Sequence, residues 1–198
     1  TATREREMEA ERVVSSWLGC IGARVGPSFR RFESTGRFPV EASVVIPVRD
    51  RVRTVVEAVD SALGQVADFD FNVIVVDNHS TDGTTEALAE RAARTEASGP
   101  RLVHVVPDRA DLGIGGCWNE AVRHARCGRY AVQLDSDDLY AGPDTLARMV
   151  GLLRSERCGM AVGSYSLVDF DLNELPPGLI DHKEWTADNG PNNALRVG

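Results

Sequence analysis

Residues 4 to 21 place Val14, Trp17, Leu18 and Ile21 at i, i+3, i+4 and i+7, with Glu and Arg filling the other faces, and so predict one amphipathic helix. Its apolar stripe has to pack on something: the main domain, or a partner subunit such as a second copy of the chain. The polar face mixes acid and base instead of being basic, which argues against a membrane anchor. Gly22, Gly26, Pro27, Gly36 and Pro39 then interrupt any period, and residues 22 to 39 read as a linker.

From residue 40 the pattern becomes regular. "ASVVIP" is a β-branched run stopped by Pro47, and Val52, Val55, Val56, Val59 and Leu63 follow at helical spacing. "FNVIVV" predicts a second strand ending at Asp77, and "STDGTTEALAERAAR" a helix that Ser80, Thr81 or Asp82 can cap. "RLVHVV" predicts a third strand, "GGCWNEAVRHARCG" a helix closed by Gly128, and "YAVQL" a fourth strand. Pro143 opens a further helix with Leu146, Met149, Val150 and Leu153 inward, and "GMAVGSY" predicts a fifth strand. Strands that are apolar almost throughout and alternate with helices imply an α/β fold, a mostly parallel sheet with helices on both faces. Residues 164 to 198 lose the rhythm and read as an irregular tail.

Composition narrows the picture. At 198 residues the chain suits one domain without disulfides, and its net charge of −8 disfavours a nucleic-acid backbone as partner, because that binding runs on clustered Lys and Arg. Cys20, Cys117, Cys127 and Cys158 are scattered with no CxxC pair, which fits a reducing compartment. No apolar run approaches the roughly 18 residues of a membrane span, and the N-terminus lacks a signal-peptide core, so the expected location is cytoplasmic.

In parallel sheets, ligands bind beyond the carboxyl ends of the strands. That rule selects Pro47 to Asp50, Asp77 to Ser80, Pro107 to Asp111 and Asp135 to Asp138, segments rich in carboxylates. In "YAVQLDSDDLY" Asp135 and Asp137 are i and i+2, on one side of an extended chain and about 7 Å apart. Facing a diphosphate they repel it by about 4 kcal/mol per unit-charge pair at 4 Å and an effective dielectric near 20. A divalent cation between them reverses the sign, and Mg²⁺ is typically held by one or two carboxylates together with substrate phosphates. On these residues alone, a turn cap and a metal site are equally good readings. A Walker A sequence is missing, and "LGIGGCWNEA" does not match GxGxxG.

Taken together, "SVVIPVRDR", "VIVVDNHSTDGT", "GGCWNEAV" and "YAVQLDSDDLY" resemble the family 2 glycosyltransferases of GT-A fold, over residues 41 to 165. The resemblance implies a Rossmann-like sheet and transfer of a sugar from a nucleotide-diphosphate donor to an acceptor hydroxyl, with inversion and with Mg²⁺ or Mn²⁺. It divides the chain into residues 1–39 (helix and linker), 40–165 (nucleotide-sugar-binding core) and 166–198 (a tail leading toward the acceptor side). Carried over, Pro47, Val48, Arg49 and Asp50 line the nucleoside pocket, Arg49 in place of a stacking aromatic and Asp50 in place of Asn. Asp77 matches the first acid of a pair, and Asn78 replaces the second, which accepts the ring N–H of the base. Asn119 and Ser136 fall near the donor. Asp137 becomes the principal metal ligand, Asp135 serves the metal and the ribose or sugar, and Asp138 supports the turn.

An inverting transfer needs a general base. Asp181, His182 and Glu184 are the candidates in this chain, and the expectation is of a donor-binding portion of a longer enzyme whose acceptor, a glycan, lipid or small molecule, is unspecified. Two rival readings remain: a nucleotidyltransferase, and a non-catalytic module that binds nucleotide sugars. "PVRDRVRTV" lacks the glycine expected of the former.

Overall fold

The computed structural model describes residues 2–23, 36–96, 101–156 and 159–181, in two compact units divided between Gly36 and Arg37. The first unit holds helix α1 (Ala2–Cys20), whose length follows the predicted period. Within this unit Val14, Trp17 and Ile21 of the predicted stripe are all more than half exposed, and Leu18 is partly buried.

The second unit is built on a parallel sheet of β1 (Ala42–Val48), β2 (Phe71–Asp77), β3 (Leu102–Val105) and β4 (Tyr130–Gln133), in the order β3-β2-β1-β4. Register is continuous from Ala42↔Phe71 to Val48↔Asp77 on one side of β1 and from Ala42↔Tyr130 to Val45↔Gln133 on the other. Every residue of β1 and β2 is buried, which is why both strands are apolar at nearly every position.

Side-chain alternation divides that apolar content between the two faces. Val44, Ile46, Val48, Val73 and Val75 meet α2 (Val55–Leu63), Leu88 of α3 (Thr84–Glu96), and Leu146 and Val150 of α5 (Thr145–Glu156). Val45, Ile74, Val76 and Val103 meet Cys117 and Ala121 of α4 (Gly113–Arg123). Right-handed crossovers require this division: β1 to β2 to β3 runs one way across the sheet and β3 to β4 runs back, so α4 lies opposite α2 and α3. The predicted α/β class, parallel sheet and two-sided helices are all present. Among the described residues no helix is long and apolar enough to cross a membrane.

Four expectations are corrected. Residues 159–164 form no strand, and Met160 and Val162 are about half exposed, because Gly159 and Gly163 interrupt the run and leave too few β-branched side chains to pack. The chain instead forms a separate antiparallel hairpin, β5 (Tyr165–Val168) with β6 (Glu174–Ile180), inside the segment read as irregular. Its turn is organised by Asp169, whose Oδ1 accepts from the amides of Asp171 and Asn173, each at 2.9 Å. Pro176 and Pro177 are tolerated in a two-stranded ribbon because its outer edges donate to no neighbour. The third core helix ends at Arg123 and not at Gly128, and α5 begins two residues after Pro143.

Gly128 has a different task. Its amide donates to Ser43 Oγ at 2.7 Å, Ser43 donates to Asn72 Oδ1 at 2.6 Å, and Asn72 Nδ2 reaches the Arg126 carbonyl at 2.7 Å. The polar pair on the two central strands is thereby satisfied by the α4–β4 connection. A Cβ at Gly128 would lie 2.7 Å from the Ala42 carbonyl carbon, which is backbone and cannot give way. Gly128→Ala is therefore expected to cost about 1–3 kcal/mol in urea unfolding; an unchanged midpoint would show that the strand can shift.

Candidate active site

β2 and β3 lie to one side of β1 and β4 to the other, so the topological switch point falls between β1 and β4. Ligands of open parallel sheets bind at such a point, beyond the carboxyl ends of the strands, and here the loops after β1, β2 and β4 come together there.

The first two loops are laced together. Asp50 adopts a left-handed backbone at φ 52°; its amide donates to Ser80 Oγ at 2.9 Å, and its Oδ1 accepts the Thr81 amide at 2.7 Å. The next two amides also cross over, Arg51 to Thr84 Oγ1 at 2.9 Å and Val52 to Asp82 Oδ2 at 3.0 Å. Asp82 caps the start of α3 by accepting the Thr84 amide at 3.0 Å, so of the three predicted capping residues it is Asp82 that serves. His79, also left-handed at φ 58°, holds the Pro107 carbonyl after β3 through Nε2 at 2.8 Å.

Beneath this lacing lies Asp77, wholly buried at the end of β2. Its Oδ1 accepts from the Ser80 amide at 2.9 Å and from Ser80 Oγ at 2.6 Å, and its Oδ2 accepts from the Thr85 hydroxyl. Burial alone raises its pKa, but these donors, with His104 nearby, outweigh burial and hold the carboxyl below its usual range. His104 Nε2 stands 3.7 Å from Asp77 Oδ2, beyond hydrogen-bond reach, and has no hydrogen-bond partner in the protein; burial lowers its pKa against the pull of Asp77. Both oxygens of Asp77 thus face internal donors. Asn78 is different: its amide donates to the Val48 carbonyl at 2.9 Å, while its Oδ1 is buried with no hydrogen-bond partner in the protein. Such an orphan acceptor costs about 1–3 kcal/mol unless something else meets it.

The fourth loop supplies the acids. Asp135 is half-buried and accepts Gln133 Nε2 at 2.8 Å, Ser136 is buried, and the Asp138 amide closes a turn onto the Asp135 carbonyl at 3.1 Å. The expected extended run is corrected here: β4 ends at Gln133 and Ser136 and Asp137 are the middle residues of that turn, so the two acids are not i and i+2 of a strand. Partial burial, and after it the charges of Asp135 and Asp137, push the Asp138 carboxyl up. Asp137 is about half exposed, and its Oδ2 lies 3.7 Å from Arg51 Nε across the switch point.

Among the other expected residues, Pro47 and Val48 are buried and Val48 belongs to the core. Arg49 is exposed, 3.8 Å from Asp50 Oδ2, and Asn119 is exposed on α4. Asp181 directly follows β6, and His182 and Glu184 lie outside the described residues. Asp111, at the third strand end, is neutralised by a two-pronged contact with Arg109. The hydroxyl network of Ser80, Thr84 and Thr85, and the roles of Arg51 and His104, were not read from the sequence. The run "STDGTT" after a strand was the available signal.

Comparison with known proteins settles the family. The profile described as glycosyl transferase family 2 matches residues 43–194, most of the chain and all but the first residue of the parallel sheet. The chain belongs to glycosyl transferase family 2. Among relatives, a succinoglycan biosynthesis protein of Rhizobium meliloti is 32% identical over 135 residues, covering 68% of this chain and 36% of that protein. A chondroitin synthase of Escherichia coli is 38% identical over 104 residues, 52% of this chain and 14% of its own. A mannosyltransferase from Pyrobaculum calidifontis, solved with GDP-Man and Mn²⁺, superposes with a TM-score of 0.51 at 29% identity, over 71% of this chain and 39% of that one. The family 2 chain thus spans much less than two thirds of these proteins.

Asp77 generates a test of the loop architecture in this family 2 chain. Its folded pKa lies below the unfolded value, so its stabilisation is complete above the ordinary carboxylate range and is lost as pH falls through the lowered folded value. Asp77→Asn should cost about 1.5–3 kcal/mol at neutral pH. It should also flatten the loss of stability seen on going from about pH 5 to pH 3; parallel pH curves for the two proteins would remove Asp77 from this role.

Proposed function

We propose that the chain binds a nucleotide-diphosphate sugar across the carboxyl ends of β1, β2 and β4 and transfers its sugar to an acceptor hydroxyl with inversion. The observation that carries this reading is the placing of Asp135 and Asp137 in the turn after β4, at the switch point, with Asp137 opposite Arg51 on loops held in position by Asp50 and Asp77. Family membership supports the reaction class. The Mn²⁺ and GDP-Man of the similar mannosyltransferase support the ligand class.

Asn78 Oδ1, buried and unpartnered, is suited to accept a ring N–H of the base. Arg49, exposed at the rim, can stack its guanidinium plane on the base, and Asp50 orients the loop beneath. Asn119 and Ser136 are assigned to the donor side.

The donor set fits a shared cation. Among the described residues no group of three or more His, Cys, Asp or Glu could cage a metal, whereas two carboxylates in the turn after β4 would suit an Mg²⁺ or Mn²⁺ ion that also takes oxygens from a diphosphate. Asp137 and Asp135 would hold it, and when bound it offsets charge on the departing diphosphate. In the transfer the acceptor oxygen bonds to the anomeric carbon, the bond from that carbon to the diphosphate oxygen breaks, and its electron pair leaves with the diphosphate. The hydroxyl proton passes to a general base, for which Asp181, His182 and Glu184 are the candidates in this chain. The acceptor, and a cytoplasmic setting, belong to the same proposal.

Titration of UDP, GDP and dTDP with and without Mn²⁺ tests it. One nucleoside diphosphate should bind about tenfold or more tightly with Mn²⁺. Asp137→Ala should abolish that gain while leaving metal-free binding unchanged or improved, because a repelling carboxylate has gone. Affinity indifferent to Mn²⁺ would favour a non-catalytic module, and preference for a triphosphate would favour a nucleotidyltransferase.

A further inference from the structure

Arg51 follows the β1 loop directly and lies opposite Asp137. Its backbone is fixed by the bond from its amide to Thr84 Oγ1 at 2.9 Å, and its Nη1 donates to the Asp50 carbonyl at 3.2 Å. With Nε 3.7 Å from Asp137 Oδ2, the guanidinium spans the switch point between β1 and β4. Both side chains are about half exposed, so the pair adds little stability. Its position matters more than its strength: it neutralises the carboxylate proposed as principal metal ligand.

We infer that Arg51 is a built-in counter-cation that couples metal binding to donor binding, an inference that rests on the reading of Asp137 given above. Without a nucleotide, Arg51 and a divalent cation compete for Asp137, and the metal alone binds weakly. When metal and diphosphate arrive together the cation takes Asp137, and the guanidinium, still tethered at the β1 loop, pairs with diphosphate oxygens, for which its fork of donors is suited. Arg51 thereby raises the affinity of each ligand in the presence of the other, and linkage makes the effect reciprocal.

The experiment measures Mn²⁺ affinity of the 198-residue chain by isothermal titration or by the EPR signal of free Mn²⁺, with and without the nucleoside diphosphate that binds best. Arg51→Gln should bind Mn²⁺ alone about two- to fivefold more tightly, the range an exposed ion pair permits, and should bind the nucleotide with Mn²⁺ severalfold more weakly. Arg51→Lys should restore part of both effects. Arg53→Gln removes the same charge two residues along, where Arg53 stacks on Phe170 at 4.8 Å, and should leave Mn²⁺ affinity unchanged. Unaltered or weaker Mn²⁺ binding in Arg51→Gln, or an equal gain in Arg53→Gln, would overturn the inference. The metal-only comparison decides it even if no nucleotide binds, whereas absence of nucleotide binding by the unaltered chain counts against the donor reading instead.

Discussion

The constraint on which the rest of the structure depends is the complete burial of β1, paired along both edges and covered on both faces. A strand in that position must be apolar on both sides and must be reached by crossovers from two directions. Right-handedness then places α2 and α3 on one face and α4 on the other, and the reversal sets the loops after β1 and β4 beside each other at the carboxyl end of β1. Arg51 faces Asp137 for that topological reason, although more than eighty residues of chain separate them.

Charge placement around the switch point follows a division by burial. Asp77 is buried, so it must be supplied with donors, and Ser80 and Thr85 supply them. The acids in the turn after β4 are more open and receive little from the protein beyond Gln133 and Arg51. An isolated buried carboxylate with no donors would neutralise itself by a raised pKa. The two sets therefore suit different work: Asp77 holds the loops, and Asp135 and Asp137 keep oxygen lone pairs available for a cation in the proposed reaction.

Much of the architecture was legible because it is written in local periodicity. Four strands, four covering helices and the strand-end acids all follow from spacing and from the rule that parallel sheets bind at their carboxyl ends. The β5–β6 hairpin was missed because its fold depends on the Asp169 turn, while two prolines and two flanking glycines argued locally against strands. Gly128 read as a helix stop because its actual constraint, contact with Ala42, comes from a distant residue. The same holds at the switch point: Asp137 was visible from its i+2 partner, but Arg51 became relevant only when β1 and β4 were set side by side. His104 likewise gains its place only from the register, which sets it beside Val75 and near Asp77.

The contrast between Asp77 and Asn78 carries this one step further. Both are buried, and adjacent positions of an extended chain face opposite ways, so the donors gathered around Asp77 do not serve Asn78. A carboxylate at position 78 without donors of its own would pay the full penalty of a buried unpaired charge, in a chain already carrying −8. An amide there offers the same carbonyl acceptor at the smaller cost of one unmet hydrogen bond. Replacing the family's second acid by Asn thus keeps the geometry of acceptance while giving up charge assistance, so any base bound at Asn78 Oδ1 is read by shape and a neutral hydrogen bond, and the diphosphate and its cation are left to supply most of the electrostatic part of donor affinity.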